Sequence, residues 1–363
     1  MKPFSGEEKI YIWLDSFPLE EQEKRKLLKA VDTPKELLKK LGEVFPATIK
    51  AGKESVLQDM LSSLSDGGEY FKAYLSGLEK KGVTPIPFPS EHYPKALKAL
   101  SAPPLVLYAK GNLSLLEEEL FCVVGSRVTP DLTMKTGKAI AKDLSLRFTL
   151  VTGSADGGDS AAIEGALSGS GKIVCIPAGG FAHLPKSNLA LFKKVEQSGL
   201  IVTLHPEFTP VRNFSYEKRN EILAALSRGV LVISAGEKSG TLVTANYASK
   251  AKKPVFALPY PPENPYGKGC NALIKEGAHL TETAEDIFKK TGVEPLLKKA
   301  ALPALTQTEA LLYGVLEKEI ECNLSLLSEK TGIPAYLLTG TITALEVKGL
   351  VVKTGGNNVS IVR

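Results

Sequence analysis

The chain has 363 residues, of which 43% are hydrophobic and 23% charged, and a formal net charge of +5. This excludes a disordered, collagenous or disulfide-stapled chain and leaves room for two or three domains. The charge is compatible with nucleic acid but too small to argue for it.

The first residues, "MKPFSGEEKI", lack the apolar stretch and cleavage site of a signal peptide, and no apolar run approaches the roughly 18 residues of a membrane span; a soluble, cytoplasmic protein is expected. Residues 1–82 read as a helical domain of SAM-like or helix-hairpin-helix-like type, although no clear Gly-x-Gly hairpin appears. "EEQEKRKLLKAVDTPKELLKKLGEVF" has apolar residues at helical spacing, Thr33-Pro34 as cap and first-turn proline, and Gly42 as a plausible stop. Between 83 and 290, short apolar runs ("LFCVVG", "FTLVTG", "KIVCIPA", "LIVTLHP", "GVLVISAG", "PVFALP") alternate with helical stretches. This is the pattern of βαβ units, and continuously apolar strands predict a sheet covered on both faces. Cys122 and Cys175 lie inside such runs, Cys270 and Cys322 stand apart, and neither a disulfide framework nor a zinc site follows. Residues 291–304 read as a linker. Residues 305–363 read as helix, helix, helix and a hairpin around Gly-Gly-Asn-Asn, the order of a winged helix. That segment has five Lys/Arg against six Glu, which favours protein contact over DNA reading.

Ligands of a doubly wound sheet bind beyond the carboxyl ends of its strands, and the punctuated turns fall there. Gly125-Ser126-Arg127 combines a bend, a hydroxyl with a backbone N–H, and a guanidinium able to grip phosphate. In "TGSADGGDSAAIEGAL", Gly153 ends a strand, Gly157-Gly158 open a loop, and Asp159 is expected to cap the following helix, whose first amides suit an anion. "RNFSYEKRNEI" groups Arg212, Tyr216, Lys218, Arg219 and Asn220, an aromatic among cations as single-stranded nucleic acid uses; an ordinary helix start with Tyr216 in the core is the competing reading. Ser239-Gly240-Thr241 is a strand-to-helix turn with amides and hydroxyls for phosphate, and Lys268-Gly269 precede a helix on which Asn271 can brace a neighbouring loop. The histidines show no metal spacing and no nucleophile–base order is convincing, so binding is expected rather than turnover.

In series, "VVGSR", "VTGSADGGDSAAIEGAL", "EKRNEILAALSRGVLVISAGEKSGTLVTANYA" and "GKGCNALIKEGA" resemble the DNA-processing DprA (Smf) family, densely over about 90–288. The resemblance implies an extended Rossmann-like, doubly wound, mostly parallel α/β sheet with an N-terminal helical domain and a C-terminal winged helix. It implies a non-enzymatic protein without cofactor that binds single-stranded DNA, dimerises, displaces single-strand-binding protein and loads RecA during natural transformation. It assigns the phosphate-gripping turn to Gly125, Ser126 and Arg127, the Arg-Asn pair to Arg219 and Asn220 with Tyr216 three residues before it, and later pocket turns to Ser239, Gly240, Thr241, Gly269 and Asn271. The sequence departs from the family at Asp156, where a cation is usual, and at Asn213, where a basic residue is expected beside Arg212. The alternative is a nucleotide-processing enzyme of phosphoribohydrolase type, whose Pro-Gly-Gly-x-Gly-Thr loop and following Glu are missing from "GEKSGTLVTANYA".

Overall fold

The computed structural model describes residues 4–294, 304–319, 321–354 and 358–361, and the chain divides into two compact units, Met1–Leu296 and Leu297–Arg363. Most of the 291–304 stretch read as a linker lies outside the described residues.

The first unit opens with five helices: α1 (Gly6–Asp15), α2 (Glu21–Lys29), α3 (Pro34–Thr48), α4 (Glu54–Ser65) and α5 (Glu69–Lys80). Ser5 and Glu8 form a capping box at the head of α1, and Thr33 and Pro34 occupy the cap and first-turn positions of α3 as the sequence predicts. Gly42 is not the stop expected of it: α3 runs through it, and through Pro46, to Thr48. Leu37, Leu41 and Phe45 are buried along one stripe of this helix. Their burial, about 2 kcal/mol each, outweighs the roughly 1 kcal/mol that a helical glycine costs.

The sheet and its covering helices follow in chain order. They are β1 (Thr84–Pro87), α6 (Lys95–Lys98), β2 (Val106–Gly111), β3 (Leu120–Gly125), α7 (Asp131–Ser145), β4 (Thr149–Thr152), α8 (Gly158–Ser168) and β5 (Ile173–Cys175). Then come α9 (Leu189–Ser198), β6 (Leu200–Thr203), α10 (Asn213–Leu226), β7 (Ser227–Ser234), α11 (Thr241–Lys250), β8 (Val255–Ala257), α12 (Lys268–Lys275), β9 (His279–Leu280) and α13 (Ala284–Thr291). The nine strands lie in the order β1-β2-β6-β5-β4-β3-β7-β8-β9. They are parallel from β6 to β9, while β1 and β2 are antiparallel additions. The sequence pattern misses these two strands because β1 is "TPIP", and a strand with two prolines is tolerated only at an edge, where β1 sits.

Alternate strand residues enter two different cores. Phe121, Val123, Leu150, Ile173, Ile201, Leu231 and Ile233 pack with α7, α8, α9, α13 and the N-terminal helices. Cys122, Val124, Val151, Val174, Val202, Val230 and Val232 pack with α10, α11 and α12. Both faces are therefore covered, which accounts for the uninterrupted apolar runs. From β3 the chain steps through β4 and β5 to β6 on one side, then returns to β7 on the other. The strand order thus reverses between β3 and β7, and Gly125 pairs with Ser234 at their carboxyl ends.

The second unit comprises α14 (Gln307–Glu319), β10 (Glu321–Asn323), α15 (Leu324–Thr331), α16 (Ala335–Val347), β11 (Val351–Thr354) and β12 (Asn358–Ile361). Its strands pair antiparallel in the order β10-β12-β11 over a core that includes Leu312, Leu316, Leu327, Leu338, Ile342 and Leu345. The expected three helices and hairpin are present, with β10 as an added strand; the hairpin tip, 355–357, lies outside the described residues. No helix among the described residues is long and apolar enough to cross a membrane.

Candidate nucleic-acid interface

The reversal between β3 and β7 places several distant turns side by side. Gly125 ends β3 against the first residue of α8: a Cβ on Gly125 would stand 2.8 Å from Gly158 Cα. The helix can therefore press directly on the strand end. Gly157 caps α8 with φ +75°, in the left-handed region that favours glycine. Asp159 is not the cap. It lies within α8, is buried, and accepts hydrogen bonds from the Ala155 amide (3.2 Å) and the Gly125 amide (3.4 Å). Burial pushes its carboxyl above the ordinary Asp range, while Arg219 and these amides pull it down.

Arg219 reaches this carboxylate from α10, with Nη1 3.8 Å from Asp159 Oδ2. The same guanidinium donates to Asn220 Oδ1 (3.0 Å) and the Ile176 carbonyl (3.2 Å). It is buried, and the space it needs exists because residue 153 has no side chain: a Cβ on Gly153 would collide with Arg219 Nη1 and Asp159 Oδ2. Gly153, Asp159 and Arg219 form an internal post beneath the rim. Asn220 extends it by donating to the Gly240 carbonyl (3.2 Å), which ties α10 to the turn before α11.

At the surface, the Ser126 amide donates to Ser234 Oγ (2.9 Å) and to the Ser234 carbonyl (3.0 Å). The Ser126 hydroxyl lies 3.0 Å from that of Ser239. Ser126 therefore joins the Gly125-Ser126-Arg127 turn to the Ser239-Gly240-Thr241 turn, with its amide committed to β7 rather than offered outward as the sequence suggests. The amides of Thr241, Leu242 and Val243 are also engaged, with Ser239 Oγ, the Ser239 carbonyl and the Gly240 carbonyl. At the head of α8, Gly158 gives its amide to the Ser126 carbonyl, and Asp159 and Ser160 supply the remaining early donors.

Arg127 is exposed and its guanidinium lies 5.1 Å from the Tyr216 ring centroid, with Arg219 6.0 Å from the same ring. Tyr216 is half-buried, between the two readings made of it from the sequence. Arg212, exposed at the N-cap of α10, lies 5.9 Å from the ring of Phe214. Lys218 does not join this group: its ammonium is held by the Ala102 carbonyl (2.6 Å) and Glu221 (2.7 Å). Lys268 is exposed at the start of α12, 4.0 Å from Glu237. Gly269 gives its amide to the Ala235 carbonyl just beyond β7. Asn271 braces the neighbouring loop, accepting from the Tyr260 amide (3.0 Å) and donating to the Tyr260 carbonyl (2.9 Å). Asp156 accepts from the Ser187 hydroxyl at 2.6 Å.

Two participants escape sequence reading. Phe214 is 59% exposed at the head of α10, and its adjacency to Tyr216 in "NFSYEKRN" was the available signal. Thr129 joins the rim through hydroxyl contacts with Ser234 (2.7 Å) and the Ser126 carbonyl (2.8 Å), which no motif announces. Among the described residues, no cluster of His, Cys, Asp and Glu could hold a metal ion.

Fold and rim define a doubly wound α/β protein with a cation- and hydroxyl-lined edge suited to phosphate at its switch point. Comparison with known proteins places it further. The family model described as DNA recombination-mediator protein A matches residues 85–292, and the chain belongs to that family. It is 33% identical over 219 residues to DNA processing protein DprA of Bacillus subtilis, covering 60% of this chain and 74% of that protein. It is 35% identical over 218 residues to Protein Smf of Escherichia coli, covering 59% of this chain and 58% of that one. Among solved structures, DNA processing protein A from Streptococcus pneumoniae superposes with a TM-score of 0.64 at 26% identity, over 80% of this chain and 99% of that chain. The Helicobacter pylori protein, solved for its single-stranded DNA binding mode, gives 0.53 at 26% identity, over 58% and 95%.

Proposed function

We propose that this protein binds single-stranded DNA along the carboxyl rim of β3, β4 and β7 and hands it to a recombinase. The observation that carries this reading is the convergence of Arg127, Tyr216 and the Ser126–Ser239 bridge at the switch point. Exposed Arg127, Arg212 and Lys268 supply mobile cations, the early amides of α8 supply fixed dipoles, and Tyr216 and Phe214 offer faces on which bases stack. Arg219, Asn220 and Asn271 act as supports beneath that surface. The DNA-bound relative from Helicobacter pylori supports the ligand class.

Such binding is largely independent of sequence and weakens with salt. Arg127→Ala is expected to weaken binding to different unpaired oligonucleotides alike and to lower the salt slope by about one; an unchanged slope in a mobility assay removes Arg127 from the interface. RecA loading, displacement of single-strand-binding protein, a homodimeric state, a cytoplasmic location and a role without catalysis belong to the same proposal. So does the layout of a helical domain (1–82), core (83–290), linker (291–304) and winged helix (305–363).

A further inference from the structure

The N-terminal helices carry a feature that DNA binding at the rim does not use. An open groove of about 510 Å³ runs between α1, α3, α4 and α5. Its apolar lining is Ile10, Trp13, Leu38, Leu64 and Phe71, and its charged lining is Lys9, Lys35 and Lys39, with no Asp or Glu. The helical repeat explains the arrangement. Lys9 and Trp13 are four apart on α1, as Lys35 and Lys39 are on α3, so the ammonium groups line up along the groove beside the apolar floor.

These lysines form no ion pair among the described residues. Nearby acids are occupied: Glu8 closes the α1 capping box, Glu36 accepts from the Asp32 amide and pairs with Lys40, and Glu69 pairs with Lys72. The lining of the groove therefore carries three positive charges and no negative one over apolar surface. Its floor is also self-sufficient in hydrogen bonds at its most polar point, because Trp13 Nε1 donates to Ser63 Oγ at 2.8 Å.

We propose that this groove docks an acidic peptide segment of a partner protein, one that inserts a large apolar side chain between carboxylates paired to Lys9, Lys35 and Lys39. A nucleic-acid strand fits less well. Trp13 is 5% exposed and packed edge-on against Phe17 at 5.3 Å, so its face is closed to a stacking base. An apolar floor rewards an aliphatic or aromatic anchor, and lysines at the rim select its acidic flanks and speed encounter.

Trp13 is the single tryptophan of the chain, so its emission reports on the groove directly. The test titrates the full-length protein with a short peptide of several Asp residues and one Phe. The expected result is saturable binding that shifts Trp13 emission and weakens with salt. Affinity should fall about tenfold in Lys35→Glu/Lys39→Glu and also when Ser replaces the peptide's Phe. Both lysines are exposed, so the variant should keep its circular dichroism and its binding to unpaired oligonucleotide, which separates this proposal from the DNA reading. No emission change, or equal affinity in the variant, overturns it. So does an oligonucleotide that shifts Trp13 emission in the wild type only, or self-association that the variant abolishes.

Discussion

At Gly153 the chain leaves β4 without a side chain, and Arg219 Nη1 and Asp159 Oδ2 hold the volume that a methyl group would take. Gly153→Ala is therefore expected to force the buried pair apart and to cost about 3 kcal/mol, read as a lowered denaturant midpoint. Arg219 looks in the sequence like a second phosphate grip, and its helix position alone does not say which way it faces. In the fold it is buried beneath the rim, so its replacement should lower stability and DNA binding together. Arg127→Ala should lower binding alone. Lys218, held by Ala102 and Glu221, belongs with neither: Lys218→Ala is expected to leave the salt slope of DNA binding unchanged. Residue type marked all three cations as candidates, and only their neighbours separate a grip from a post and a clamp.

Among the elements, α3 shows how tertiary burial overrides a local stop. Gly42 lies within the helix, is exposed, and has nothing within 4 Å of where its Cβ would stand. Gly42→Ala should therefore stabilise the protein by about 1 kcal/mol, seen as a raised melting temperature. The segment after β6 makes a pH prediction. His205 Nε2 is buried without a hydrogen-bond partner among the described residues. Burial holds its pKa below the ordinary histidine value, with Lys24 adding to the effect and Asp15 opposing it. A proton then binds the unfolded chain more readily than the folded one. Stability should rise with pH through the window below about 6.5 and level off above it. His205→Phe should flatten that part of the curve in urea titrations.

For the molecule as a whole, every residue assigned to the rim lies in the first unit, Met1–Leu296. A fragment ending at residue 294 is expected to retain the affinity and salt slope of the full chain for unpaired oligonucleotides; a large loss would give the second unit a share in binding. The alternation of apolar runs with amphipathic stretches was enough to predict a covered, mostly parallel sheet, because burial on both faces leaves a period that local sequence carries. The glycine turns and the order of their motifs were enough to predict the family and to put those turns at the carboxyl ends of the strands. The strand order decided the rest. Ser126 spends its amide on Ser234, Asp159 turns inward to Arg219, and β1 and β2 extend the sheet because β7 returns beside β3 and antiparallel pairing closes the far side. Those outcomes depend on contacts between segments from tens to about a hundred residues apart in the chain, and no local propensity encodes which of two polar neighbours a side chain will face.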